Sequence, residues 1–144
     1  MKTCRLIYRS IAEERVLDDD ALSKLANRAA SNNRRFGVSG ILILSDGRFL
    51  QVLEGQSKYV NRIYAKIVQD KQHHDVELIS YEAVVKSEFH DWDMKLFKLD
   101  NLDDSVRELL IHKYPMDGDK IQFFDDAVLM ASLLLDMRHL QSKM

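Results

Sequence analysis

The sequence predicts an α+β protein with a ferredoxin-like βαββαβ core, one added strand and a C-terminal helical pair. Three observations support this fold class. Apolar and polar residues alternate near the N-terminus, a hairpin signal lies within residues 36–55, and two helical apolar stripes flank that hairpin. In this fold both flanking helices cover the same face of an antiparallel-containing sheet.

Residues 4–10 form the first predicted strand, because apolar and polar side chains alternate along them. Leu6, Tyr8 and Ser10 share one face of this strand, whereas Ile7 lies on the opposite face. We therefore expect Tyr8 to point to the same side of the sheet as Leu6.

A helix is predicted from residue 18 to about residue 32. The aspartates at 18–20 provide an N-cap and a favourable charge at the helix N-terminus. The apolar stripe of this helix consists of Leu22, Leu25, Ala26 and Ala29, and Asn33 continues it with an amide. Because two small residues and an amide end the buried face, we expect space for a flat ligand beside it.

The central hairpin has strands at residues 41–44 and 48–53, joined by an Asp46-Gly47 turn in which both residues favour positive φ. In the second strand, Phe49, Gln51 and Leu53 share one face. A buried amide needs hydrogen-bond partners. Gln51 therefore lies at an edge position, is satisfied by local backbone, or faces a cofactor.

A second helix is predicted at residues 57–70, capped by Ser57, with an inward stripe of Val60, Ile63, Tyr64, Ile67 and Val68. After a loop at 73–74, strands follow at residues 76–85 and 94–99. Residues 103–114 form a short helix, 115–118 a turn and 124–141 a helix that is apolar around most of its circumference. This last helix either caps the open sheet face or contacts a partner or a second copy of the chain.

Composition indicates one ordinary globular domain of 144 residues, with 46% hydrophobic and 31% charged residues. The net charge of −2 argues against nucleic acid or a membrane surface as a partner. Cys4 is the single cysteine, which excludes an internal disulfide and favours the cytoplasm, and the N-terminus does not resemble a signal peptide. The five histidines share no ligand spacing, so no metal site is expected and exposed loop positions are favoured for them.

Five motifs together resemble the BLUF domain, a blue-light sensor that uses flavin. They are Tyr8 in YRS, Asn32-Asn33 followed by GVSG, FLQVLEG with Gln51, DKQHH with His73, and WDM with Trp92 and Met94. Each motif alone is weak, but their combination and order are specific. The resemblance covers roughly residues 1–99, so it implies a sensor domain at 1–100 and a C-terminal output or oligomerisation extension at 101–144.

The resemblance implies that the flavin ring lies between the two helices. Leu25 and Ala29 on one side and Ile67 on the other would contact its faces, Asn33 would bond its C4 carbonyl and N3 edge, and Asn32 would add a polar contact. Gln51 would sit between flavin N5 and C4=O and the hydroxyl of Tyr8, and Asp70 and His73 would lie near the other ring edge or the ribityl chain. The resemblance favours FAD and leaves FMN or riboflavin open.

The implied mechanism is a photosensory relay rather than enzyme catalysis, with no catalytic residue. After blue-light excitation Tyr8 gives up an electron and then a proton through Gln51, and the Gln51 amide is left rotated or tautomerised. Trp92 and Met94 would pass the change to the C-terminal helices. We expect a separate signalling protein of unknown identity as the downstream partner, and at least a dimer of the chain.

Two other function classes remain open on the same fold. A colourless small-ligand or protein-binding module needs none of these roles. An acylphosphatase-like hydrolase could grip an anion with Asn33 and Arg34-Arg35, although no glycine-rich cradle or nucleophile–base pair accompanies them. A flavoprotein is yellow when purified, whereas both alternatives are colourless.

Overall fold

The computed structural model describes residues 2–89 and 93–140. The strands are β1 (Thr3–Ala12), β2 (Ser39–Ser45), β3 (Arg48–Gln56), β4 (His73–Ala83), β5 (Lys95–Lys98), β6 (Met116–Asp117) and β7 (Lys120–Ile121). The helices are α1 (Asp19–Arg35), α2 (Ser57–Gln69), α3 (Asp104–Ile111) and α4 (Ala127–Leu140), with short 3₁₀ turns at Glu14–Val16 and Leu99–Asn101.

Five strands form the main sheet in the order β4-β1-β3-β2-β5. Strand β1 is antiparallel to both of its neighbours, and β2 is antiparallel to β3 and parallel to β5. The first four strands with α1 and α2 give the ferredoxin-like βαββαβ arrangement, and β5 is the added strand. The predicted fold class is confirmed, and the register sets Tyr8 of β1 directly opposite Gln51 of β3.

The two long helices begin in different ways, with a side-chain cap at α1 and none at α2. The Asp18 carboxylate accepts a hydrogen bond from the backbone N–H of Ala21 at 2.8 Å, as the aspartate run predicts. The predicted Ser57 cap is wrong, because α2 begins at Ser57 and its backbone N–H donates to the Lys2 carbonyl at 3.0 Å. Val68 was expected to face inward but is 50% exposed, since it is rotated about 80° around the helix from Val60.

The Asp46-Gly47 turn has the predicted backbone, with φ of 51° at Asp46 and 71° at Gly47. A positive φ at both central positions matches the right-handed twist of the flanking strands. The turn therefore fixes the β2–β3 register and with it the alternation of β3 between the two sheet faces.

The second sheet face is covered by the C-terminal residues, so α4 caps the sheet, one of the two alternatives considered for it. Met130, Leu133, Leu134 and Met137 of α4 are fully buried in a core shared with Ile7, Ile41, Leu50 and Val52 of the sheet. Val128, on the outer side of α4, is 82% exposed. The division into a sensor domain and a C-terminal extension near residue 100 remains a prediction. The residues on both sides of that boundary share one core.

Two details of the C-terminal residues differ from the sequence-based expectation. Helix α4 begins at Ala127 rather than at 124, because the Asp126 carboxylate accepts from the Leu129 backbone N–H at 3.0 Å and caps it there. The predicted turn at 115–118 is half of a small hairpin in which Met116 pairs with Ile121. Within the described ranges, no helix combines the length and apolar character needed to cross a bilayer.

Candidate functional site

A cavity of about 180 Å³ lies between α1 and α2 and is lined from below by residues of β1 and β3. Every residue predicted to contact a cofactor lines it: Leu25, Ala29, Asn32, Asn33, Gln51, Ile67, Asp70 and His73. Tyr8 lines it as well. The fold thus brings together side chains that are up to 65 residues apart in the chain, and their roles toward a ligand remain predictions.

Gln51 has partners at both ends of its amide. The Tyr8 hydroxyl donates to Gln51 Oε1, and Gln51 Nε2 donates to the Met94 sulfur at 3.5 Å. Tyr8 and Gln51 are each only 3% exposed. Of the possibilities considered for this buried amide, satisfaction by local backbone is therefore wrong, because side chains from β1 and from the residue before β5 hold it.

The phenol of Tyr8 is held in its neutral form. Burial raises its pKa well above the ordinary value, and the nearby Tyr64 and Asp70 raise it further. The Tyr64 ring lies 5.6 Å from the Tyr8 ring, measured between centroids. Because the phenolate anion is disfavoured here, Tyr8 stays protonated and its hydroxyl donates to Gln51.

Close backbone approach makes room for Met94 beside Gln51. A Cβ placed at Gly40 of β2 would lie 2.1 Å from the Val52 carbonyl oxygen and 3.3 Å from the Met94 methyl carbon. Only glycine fits at this position without displacing β3 or Met94. Trp92, the other residue predicted to transmit a signal, lies outside the described residues.

Asn33 ties the C-terminal end of α1 to the residue before Met94. Its Nδ2 donates to the Asp93 carbonyl oxygen at 2.7 Å. Arg34 Nε donates to the Asp93 carboxylate at 2.8 Å, and Arg35 stacks at 5.4 Å from the Phe36 ring centroid. With Arg34 paired in this way, the geometry gives no support to an anion-gripping hydrolase site.

His73 is fixed at the far end of the cavity. Its Nδ1 lies 2.7 Å from Ser10 Oγ and its Nε2 lies 2.6 Å from the Ile67 carbonyl oxygen. A carbonyl oxygen only accepts, so Nε2 carries a proton and the ring orientation is set. The expectation of an exposed loop position is wrong for His73, which is buried because β4 pairs with β1 as far as Ala12.

His74 points away from His73, as neighbouring strand residues do, and its Nδ1 lies 2.8 Å from the Glu13 carboxylate. Among residues 2–89 and 93–140, no group of three His, Cys, Asp or Glu side chains is arranged to hold a metal ion.

Three cationic side chains at the cavity were not predicted from the sequence. Arg28 of α1 and Arg62 and Lys66 of α2 line it, with Asp70 as the carboxylate among its lining residues. Arg28 donates to Gln72 Oε1 at 3.0 Å, and the Arg62 guanidinium lies 5.8 Å from the Phe36 ring centroid. The one sequence signal for them is the i,i+4 spacing of the two α2 residues, which places both on one side of that helix.

The lining combines three kinds of surface. Leu25 and Ile67 provide apolar walls on opposite helices, Asn33 and Gln51 provide hydrogen-bonding groups, and the cations provide positive charge. An aromatic ring with a polar edge and an anionic tail fits this combination.

Comparison with known proteins agrees with this geometry. The family described as BLUF, sensors of blue-light using FAD, matches residues 3–95. The blue light- and temperature-regulated antirepressor BluF of Escherichia coli K12 is 32% identical over an alignment of 134 residues that covers 86% of this chain and 32% of that protein. The chain thus spans about a third of the length of this relative.

Two solved structures show the same fold. Klebsiella pneumoniae BlrP1 with FMN and cyclic diGMP matches with a TM-score of 0.65 and 31% identity, over 75% of this chain and 29% of that one. The dark-state structure of the BLUF protein BlrB matches with a TM-score of 0.65 and 24% identity, over 75% of this chain and 83% of that one.

Proposed function

This chain belongs to the BLUF family of blue-light sensors, and from that membership we propose that its cavity binds a flavin and that light rearranges the hydrogen bonds of Gln51. The observation that supports this most directly is the series of hydrogen bonds from Tyr8 through Gln51 to Met94, in which Tyr8 and Gln51 are buried and line the cavity. The matched residues form a photosensor and not an enzyme.

The lining residues divide into groups that suit different parts of a flavin. Leu25 and Ala29 of α1 and Ile67 of α2 would hold the ring between them. Asn32 and Asn33 would hydrogen-bond its polar edge, and Asp70 and His73 would lie at the other edge or along the ribityl chain.

When bound and excited by blue light, a flavin supplies a strong one-electron oxidant. Tyr8 is placed to lose one electron, and its hydroxyl proton can then move to Gln51 Oε1, the atom to which it is already bonded. When the electron and the proton return to Tyr8, the Gln51 amide is left rotated or tautomerised. Atoms and charge are unchanged at the end, and the difference lies in the orientation of the amide or the position of its proton, and in the hydrogen bonds that follow from it.

The rearranged amide no longer offers the same N–H to Met94. Met94 directly precedes β5, which pairs with β2. The C-terminal helices follow β5 in the chain. We propose that the signal leaves through Met94 and β5, and that Trp92, which lies outside the described residues, takes part.

We propose FAD as the flavin. The family description names FAD, whereas the Klebsiella structure is described with FMN. The cations Arg28, Arg62 and Lys66 support a phosphate-bearing flavin over riboflavin. Titrating the apoprotein with each flavin checks this. We expect Arg62→Ala to weaken FAD and FMN binding about tenfold and riboflavin binding far less, and equal losses for all three would contradict it.

We propose that a separate cytoplasmic protein reads the lit state through residues 101–140. The E. coli relative is named as an antirepressor, which is consistent with a sensor that acts on another protein. We also keep the expectation of at least a dimer, because Leu109 and Val128 in the C-terminal helices are 57% and 82% exposed. A concentration-independent monomer in analytical ultracentrifugation would contradict it.

The decisive experiment is the visible absorption spectrum of the purified protein in the dark, under blue light and during dark recovery. We expect a flavin spectrum that shifts slightly to the red and returns. A flavin spectrum that never shifts would refute the Tyr8–Gln51 relay, and the lack of flavin after reconstitution would refute the proposed function.

A further inference from the structure

Glu54 is a fully buried carboxylate that the light-sensing relay does not use. It follows Gln51 by three residues on β3 and therefore points to the opposite face of the sheet. Its side chain is 0% exposed, and its Oε2 accepts from Arg5 Nε at 2.9 Å and from Arg5 Nη2 at 2.8 Å. Arg5 is the cross-strand neighbour of Glu54 on β1, so this oxygen is held by the sheet itself.

The other oxygen of Glu54 is held by the connection between β4 and β5. Its Oε1 accepts from the Ser87 hydroxyl, from the Glu88 backbone N–H at 2.8 Å and from the Phe89 backbone N–H at 3.0 Å. The Phe89 side chain is buried in the core beneath the sheet, with the Arg5 guanidinium 5.6 Å from its ring centroid. One carboxylate thus ties residues 87–89 to the two central strands.

The same connection is held again at its other end by groups of the light-sensing site. Asn33 holds the Asp93 carbonyl and Gln51 holds the Met94 sulfur. Four residues lie between Phe89 and Met94, so their Cα atoms are at most about 18 Å apart. Strand β3 therefore holds both ends of this segment, with Gln51 on one face and Glu54 on the other.

We propose that Glu54 is a positioning residue whose carboxylate anchors residues 87–89 so that Met94 stays within reach of Gln51. With the 87–89 end fixed, a rearrangement of Gln51 displaces residues 93–94 and β5 instead of being absorbed along the whole connection. A buried ion pair contributes little net stability compared with apolar packing, and its fixed geometry is what serves this role. The inference rests on the proposed function.

Ser87→Ala is the sharpest test, because it removes one contact of the anchor and leaves the buried Arg5–Glu54 pair intact. We expect unchanged flavin binding, about tenfold faster hydrogen exchange at the Glu88 and Phe89 amides, and a several-fold change in the rate of dark recovery. Ser87→Thr keeps the hydroxyl and should restore the parent behaviour. Ser105→Ala, which removes an exposed serine–carboxylate contact on α3, is the matched control.

Glu54→Gln is the stronger variant, because either orientation of its amide sets the N–H₂ group against donors, those of Arg5 or those of residues 87–89. If this variant does not fold, Ser87→Ala decides the question. Unchanged exchange at Glu88 and Phe89 together with unchanged recovery in Ser87→Ala would overturn the anchor. Faster hydrogen exchange at these amides with an unchanged rate of dark recovery would also overturn the proposal. It would show that Glu54 holds residues 87–89 without affecting the light response. A parent protein that binds flavin but shows no light-induced shift would instead refute the proposed function.

Discussion

The two faces of the sheet are packed in different ways. The face covered by α3 and α4 carries one continuous core that includes Ile7, Val52 and Leu133. The face covered by α1 and α2 carries two smaller cores, one around Leu53 and one around Phe49. The cavity is lined by residues of both smaller cores, and Met94 packs against both cores.

Strand β3 shows how one sequence serves both faces. Leu50 and Val52 point into the continuous core, whereas Phe49, Gln51 and Leu53 point toward α1 and α2. The face covered by α3 and α4 has one continuous core and contributes most to stability. The face covered by α1 and α2 leaves polar groups beside the cavity. We therefore expect substitutions under α3 and α4 to change mainly the free energy of unfolding. Substitutions under α1 and α2 should change mainly flavin binding and the light-induced spectral shift.

The largest effect is expected from the relay. Gln51→Leu should abolish the light-induced spectral shift while flavin stays bound, because leucine can neither accept from Tyr8 nor donate to Met94. Tyr8→Phe should abolish it as well, since the oxidisable hydroxyl is gone. Absorption spectra in the dark and under blue light measure both outcomes.

Tyr64→Phe is the matched control for these variants. Its ring lies beside that of Tyr8, but the hydroxyl of Tyr8 is the one bonded to Gln51. We expect a preserved shift in Tyr64→Phe. A normal shift in Gln51→Leu would contradict the relay, and loss of the shift in Tyr64→Phe would reassign the electron donor.

The next largest effect is expected on the continuous face. Leu133→Ala removes a side chain with no exposed surface and should lower the free energy of unfolding by about 2–5 kcal/mol. The size of the spectral shift should stay unchanged in the folded fraction. Urea unfolding followed by circular dichroism gives the stability. Loss of the light-induced spectral shift in folded Leu133→Ala protein would contradict the expectation that the two sheet faces can be perturbed independently.

A smaller effect is expected at alkaline pH from Tyr114, the buried tyrosine of the continuous face. Burial and a hydrogen bond to the Asp136 carboxylate raise the pKa of Tyr114 from its ordinary value of 10 to about 12. Folded and unfolded chains both hold this proton below pH 10. The stability that this protonated tyrosine contributes is therefore fully present below pH 10, and it is lost as pH rises from 10 through about 12.

Tyr114→Phe should reduce this pH dependence by up to about 1.4 kcal/mol per pH unit within that window. Tyr8 also has a raised pKa, so part of the dependence should remain. Urea unfolding at several pH values measures the slope. An unchanged slope in Tyr114→Phe would contradict the assignment.

The smallest effect on stability is expected at the cavity wall. Leu25 is partly exposed, so Leu25→Ala should lower the free energy of unfolding by only about 1 kcal/mol. It should weaken flavin binding about tenfold, because an apolar wall of the cavity is lost. Flavin titration and urea unfolding compare the two effects. A larger loss of stability than in Leu133→Ala would contradict the division between the faces.

The sequence was sufficient to predict the order of the five main strands and the helices, and the residues that share a sheet face with Tyr8 and with Gln51. These features follow from local alternation, from the aspartate cap and from the turn at Asp46-Gly47, each of which depends on neighbouring residues. The family resemblance added the candidate lining residues, which the fold brings to one cavity.

Other features depend on pairings between distant residues and had no local signal. His73 is buried because its strand pairs with β1 as far as Ala12, beyond the predicted strand ends. Two of the partners of Glu54 are the backbone amides of Glu88 and Phe89, 34 and 35 residues away. The β6–β7 hairpin has strands of two residues, which are too short to show periodicity.

The central position of β1 has a consequence for synthesis on the ribosome. Cys4 pairs with Gly55 on one side and with Ala83 on the other, so β1 stays unpaired until both of these later strands have been made. The sheet face that α4 covers stays open longer, roughly 2–8 s more for residues 102–140 at about 5–20 residues per second. Yield should therefore depend on chaperone protection in this interval, and a chain cut after residue 100 should aggregate during expression.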